Sequence, residues 1–125
     1  MRRFALILAL AASSVGAQEK PLTPEQDGFA RDMISCGQKY MALKLLEPGS
    51  SSPMQILAEG RVYPTAAREV AGDAFVDQET PAIHDSALES VSAAIGGGKR
   101  TTVAAIADVK RECDARLATR PSGGH

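Results

Sequence analysis

Two cysteines, Cys36 and Cys113, set the tightest constraint on what this chain can fold into. Each sits in the middle of an apolar stripe at helical spacing. Around the first, Phe29, Met33, Cys36, Tyr40 and Leu43 recur at intervals of four and three residues. Around the second, Ile106, Val109, Cys113 and Leu117 do the same. A thiol in the middle of a buried helix face has to find its partner inside the fold, and each cysteine is the only candidate for the other. One disulfide is therefore expected to tie the first helix to the last. Neither cysteine has another cysteine or a histidine within four residues. The close pairs that zinc, thiol exchange or covalent haem require are missing, as is a neighbouring histidine to serve as base for a nucleophilic thiol.

A disulfide needs an oxidising compartment, and residues 1–17 read as the way to one. Arg2 and Arg3 supply a positive start, residues 4–12 an apolar run too short to span a bilayer, and Val15-Gly16-Ala17 a small-residue cut before Gln18. This is the pattern of a cleaved signal peptide and implies a periplasmic or secreted protein without stable membrane anchoring. Without Arg2 and Arg3 the chain carries twelve basic against fifteen acidic residues, a net charge of −3. That balance does not favour nucleic acid or an anionic membrane as partner. With no tryptophan and few other aromatics, the core is expected to be aliphatic, alanine-rich and thin.

After an extended lead-in over residues 18–22, a single domain is expected over residues 23–119. Thr23-Pro24-Glu25-Gln26 is a capping-box start, and Pro48-Gly49 ends the helix it opens near Glu47. Ser52-Pro53-Met54-Gln55 repeats that start for a short helix ending at Gly60, in the role of a left-handed cap. Pro64 is expected to open a third helix over residues 65–77, weakened by Gly72 or placing Gly72 against another helix. Thr80-Pro81 is expected to start a fourth, with Ile83, Ala87, Val91 and Ala94 inward, stopped by Gly96-Gly97-Gly98. Thr101 or Thr102 begins the last, and residues 120–125 form a loose tail. No stretch alternates with period two. The fold class is all-α, a four- to five-helix bundle closed by Cys36–Cys113.

Chemistry is harder to find. Gly98-Lys99-Arg100 lacks both the earlier glycine and the following hydroxyl of a phosphate loop, so it reads as a linker. His84 is the one histidine inside the expected domain. It shares no helix face with Asp85 and Glu89, which leaves catalytic, metal and cofactor sites without candidates. Charge does have a shape. Glu69, Asp73, Asp77, Glu79, Asp85 and Glu89 face only Arg68 across residues 65–95, whereas the last helix is basic. Those six acids, with junctions at Gly72, Gln78 and Glu79, are the expected docking surface for a basic partner, another envelope or secreted protein. The function classes left are a non-enzymatic binding module (an inhibitor, immunity protein or accessory subunit), a conditional acid-stress-type chaperone, and a small-ligand binder or enzyme.

Overall fold

The computed structural model describes residues 21–47, 49, 52–98 and 100–123. The expected signal peptide, the cut before Gln18, most of the lead-in and the last two tail residues lie outside the described residues. Five helices follow one another: α1 (Pro24–Leu46), α2 (Pro53–Gly60), α3 (Val62–Ala71), α4 (Asp73–Ile95) and α5 (Thr102–Leu117). The bundle is all-α, and Cys36 on α1 is bonded to Cys113 on α5. By the chain-entropy argument, closing a loop across a separation of 77 residues stabilises by about 4.5 kcal/mol.

The capping box forms as the sequence dictates. Thr23 Oγ1 accepts from the Gln26 amide at 3.1 Å, and Gln26 Oε1 accepts from the Thr23 amide at 2.9 Å. From that start α1 runs through the centre of the bundle, in contact with all four other helices. Ala30, Ile34 and Gly37 are buried beside the expected stripe, so roughly half the helix circumference is covered. The main core gathers Phe29, Met33, Tyr40, Tyr63, Val70, Val76 and the disulfide. A second, smaller cluster of Leu43, Val91 and Ala105 lies towards the C-terminal end of α1.

Three expectations about the middle of the chain need correction. The break between the third and fourth helices falls at Gly72, and α4 runs unbroken through Gln78, Glu79 and Pro81. Gly72 takes φ 90°, ψ 157°, a region that in practice only glycine occupies. Pro81 is tolerated because it lies on the exposed side of α4, while Thr80 Oγ1 donates to the Val76 carbonyl oxygen at 2.6 Å in the turn before it. The expected junctions at Gln78 and Glu79 therefore do not exist. Gly60 is the third correction, since it is no left-handed cap. A Cβ there would lie 3.2 Å from Met41 Cγ and 3.3 Å from Tyr40 Cδ1, so its role is to let α2 lie close on α1. Gly96–Gly98 forms a short 3-10 turn between α4 and α5. The tail lies back on the domain as far as Gly123: Gln26 Nε2 donates to the Ser122 carbonyl oxygen at 2.9 Å, and Arg120 pairs with Glu69.

Candidate docking groove

The short helix α2 buries only Ile56 and Gly60. Eight residues with two buried positions cannot also hide Met54 and Leu57, which are 78% and 50% exposed. Leu57 lies on the flank of α2 next to its buried side and faces an open groove of about 380 Å³ between α1, α2 and α3. Met41 and Leu57 supply its apolar side chains, together with Pro64 and the backbone at Gly60. Its far wall is Arg61, the residue that precedes α3, followed at helical spacing by Pro64, Thr65 and Arg68 of α3. Close packing holds that wall to α1, because a Cβ on Gly37 would meet the Pro64 ring at 3.1 Å. The groove has the volume of a ligand site but is partly open to solvent. An enclosed site buries most of a small ligand's surface; this groove is only partly enclosed.

The six acids do not form one free surface. Arg68 donates to Asp73 at 3.3 Å and to Asp77 at 2.8 Å. Arg31 bridges Asp27 and Glu79, joining α1 to α4, and Arg120 reaches Glu69 at 3.0 Å. Hydrogen bonds to Asp27 and then to Glu79 push Arg31 further towards its charged form. Asp77, followed by Asp73, does the same for Arg68. Asp85 and Glu89 have no ion-pair partner among the described residues. The structure thus divides the acids into three groups held by arginines, of which Asp73 and Asp77 share one, and one unpaired couple along α4. His84 is exposed, with Nδ1 2.6 Å from Gln38 Oε1 on α1. Among the described residues no three His, Cys, Asp or Glu side chains stand close enough to hold a metal ion.

A polar cluster the sequence did not reveal lies beside the disulfide. The hydroxyl of buried Tyr63 donates to Asp114 Oδ1 at 2.8 Å, and Lys110 Nζ donates to Asp114 Oδ2 at 2.9 Å. Burial, and then the hydrogen bond to Asp114, push the Tyr63 phenol above its ordinary pKa. The bond from Lys110, ahead of that from Tyr63, holds Asp114 below the usual carboxylate range. Tyr40 packs edge-on against Tyr63 and donates to Glu59 at 3.2 Å. The cluster joins α3 to α5 and is a structural tie.

Sequence reasoning also missed the groove. The available signal was Met54 and Leu57 in a helix too short to bury them, but the groove depends on α2 folding back onto Met41. No helix among the described residues is long and apolar enough to cross a membrane, and the disulfide is consistent with an oxidising compartment. No protein family, curated protein or solved structure matches the chain.

Proposed function

We propose that this protein is a periplasmic or secreted binding module, delivered by cleavage of residues 1–17, that docks another envelope protein through the groove between α1, α2 and α3. One observation carries the reading: Leu57, half exposed, stands with Met41 and Pro64 in the groove, and Met54 is exposed one turn earlier on the same short helix. Flexible methionine side chains suit a surface that must adapt to a partner. The acids on α3 and α4 steer encounter, and the groove provides close contact.

Site-specific photocrosslinking in living cells tests it. A photoreactive residue at position 57 is expected to give one discrete adduct that the same residue at Glu112, exposed on α5, does not. Equal labelling from both positions, or none from position 57, overturns the groove as the docking face. An intact mass that still includes residues 1–17 overturns the compartment.

A second reading, a chaperone released by acid, draws on a different observation. The helices are cross-tied by carboxylate ion pairs: Arg31–Glu79, Arg68–Asp77, Arg116–Asp32 and Arg120–Glu69. Acid weakens carboxylate ion pairs as a class, although a single solvent-exposed pair contributes only about 0–1 kcal/mol. This reading expects binding of an apolar dye to rise sharply between pH 6 and 3 while helical content persists. A signal that stays flat over that range eliminates it.

A further inference from the structure

The two ends of the groove differ in charge, and the difference bears on what it binds. Arg61, at the N-cap of α3, and Arg68 within it are seven residues apart, about 10 Å along the helix axis, with Pro64 and Thr65 between them. Arg61 is exposed and has no ion-pair partner among the described residues. Arg68 is held by two carboxylates, Asp73 and Asp77, which are themselves 79% and 66% exposed at the side chain. One guanidinium against two carboxylates leaves that end with a net negative charge. A carboxylate bonded once to arginine still has lone pairs for a second donor. The groove therefore runs from an unpaired cation at Arg61, across an apolar floor at Met41, Leu57 and Pro64, to Arg68, whose partners Asp73 and Asp77 stand just outside the lining and make that end net anionic.

Resting on the groove being the docking face, we infer that its occupant is a polypeptide segment with an apolar centre, an acidic side chain on one flank and a basic side chain on the other. The acid lies at Arg61 and the base at Asp73 and Asp77. Opposite charges at the two ends give the segment a single favourable direction. In the reverse direction like charges meet at both ends, which disfavours that pose. The apolar centre supplies affinity, and the flanks supply orientation.

Selection from a library of randomised twelve-residue peptides, displayed singly and presented to the purified disulfide-bonded protein, tests this. Each enriched peptide is then measured against three variants: Leu57→Asp, Arg61→Glu and Asp77→Arg. All three positions are exposed, so folding is checked simply by helical content and unfolding midpoint. The expected peptides carry an apolar core with acid and base on opposite flanks. They lose about tenfold or more in affinity on Leu57→Asp and about three- to tenfold on either charge reversal. Exchanging the two flanking charges in a peptide should restore binding to the double variant Arg61→Glu, Asp77→Arg. Peptides that depend on Leu57 but show no charge pattern, or ignore both reversals, overturn the oriented segment and leave the groove standing. If no enriched peptide responds to Leu57→Asp, the groove itself is rejected.

Discussion

The middle of α1 and its C-terminal end belong to the same helix but sit in unlike surroundings. Around Phe29, Met33 and Cys36 it is enclosed by α3, α4 and α5, locked by the disulfide, and roofed by Arg116, whose guanidinium lies 5.3 Å from the Phe29 ring centre. From Met41 onward its neighbours are the short α2 and the small cluster of Leu43, Val91 and Ala105. Leu45 and Leu46 are left exposed there. Stability is concentrated in the first region, and unsatisfied apolar surface in the second. On the proposed docking role, such a division lets a small domain present its groove without risking its fold, because substitutions there remove little buried area.

The largest expected effect breaks this comparison most directly. Phe29 is fully buried, and Phe29→Ala should cost about 4 kcal/mol, a large share of the 5–15 kcal/mol typical of a domain. Leu57→Ala, at a half-exposed site, should cost no more than about 1 kcal/mol. Chemical denaturation of both variants at neutral pH measures the contrast. Equal losses would show that α2 belongs to the core after all.

The two glycines that bring helices close to α1 sharpen the same contrast at smaller magnitude. At Gly37 an added methyl meets the rigid Pro64 ring at 3.1 Å, whereas at Gly60 the nearest atom is Cγ of a flexible methionine at 3.2 Å. Alanine improves helix propensity by up to about 1 kcal/mol at an interior position such as Gly37, but overpacking against a ring that cannot yield costs about 1–3 kcal/mol. Gly37→Ala is therefore expected to destabilise by about 1 kcal/mol. Gly60→Ala should stay within about 0.5 kcal/mol of the parent, since Met41 has room to swing into the groove. If Gly60→Ala proves the more damaging, the Tyr40 ring, 3.3 Å away, is the true constraint, and the C-terminal region is tighter than its exposure implies.

What was legible from residue order follows the same division. The capping box at Thr23, the α1 stripe and the disulfide depend on local patterns and on a pair with no alternative, and all three were readable. The middle of the chain misled because Gly72 and Pro81 compete for one helix break. Proline is the stronger breaker in isolation, but at position 81 its ring faces solvent, whereas Gly72 reaches a backbone conformation that other residues avoid. The acids were readable as charges and not as partners. Arg31 reaches Glu79 from 48 positions away, and Arg120 comes from the tail; neither pairing leaves a trace in local spacing. The groove was illegible for the same reason, being made of residues that meet only once α2 has folded back.

The smallest expected effect concerns the tie between α3 and α5, and pH reads it. Tyr63 donates to Asp114 from a buried position, so Tyr63→Phe should lose about 0.5–1.5 kcal/mol at neutral pH. The folded state holds the Tyr63 phenol above its ordinary pKa of 10.0, mainly through burial. A raised pKa of this kind contributes stability that is fully present below the unfolded value and is lost as pH rises towards the folded one. Above pH 10 the unfolded chain releases this proton and the folded chain keeps it, so the parent loses up to about 1.4 kcal/mol per pH unit from this group alone. Tyr63→Phe has no such proton to release and keeps only the weaker alkaline loss from Tyr40, whose pKa burial also raises. Denaturation midpoints followed from pH 8 to 11 should therefore converge, the two proteins becoming equally stable roughly between pH 10 and 11. A gap that stays constant across that range would mean that Tyr63 ionises as readily in the folded protein as in the unfolded chain, and no gap at neutral pH would mean that the contact with Asp114 is not the tie between α3 and α5.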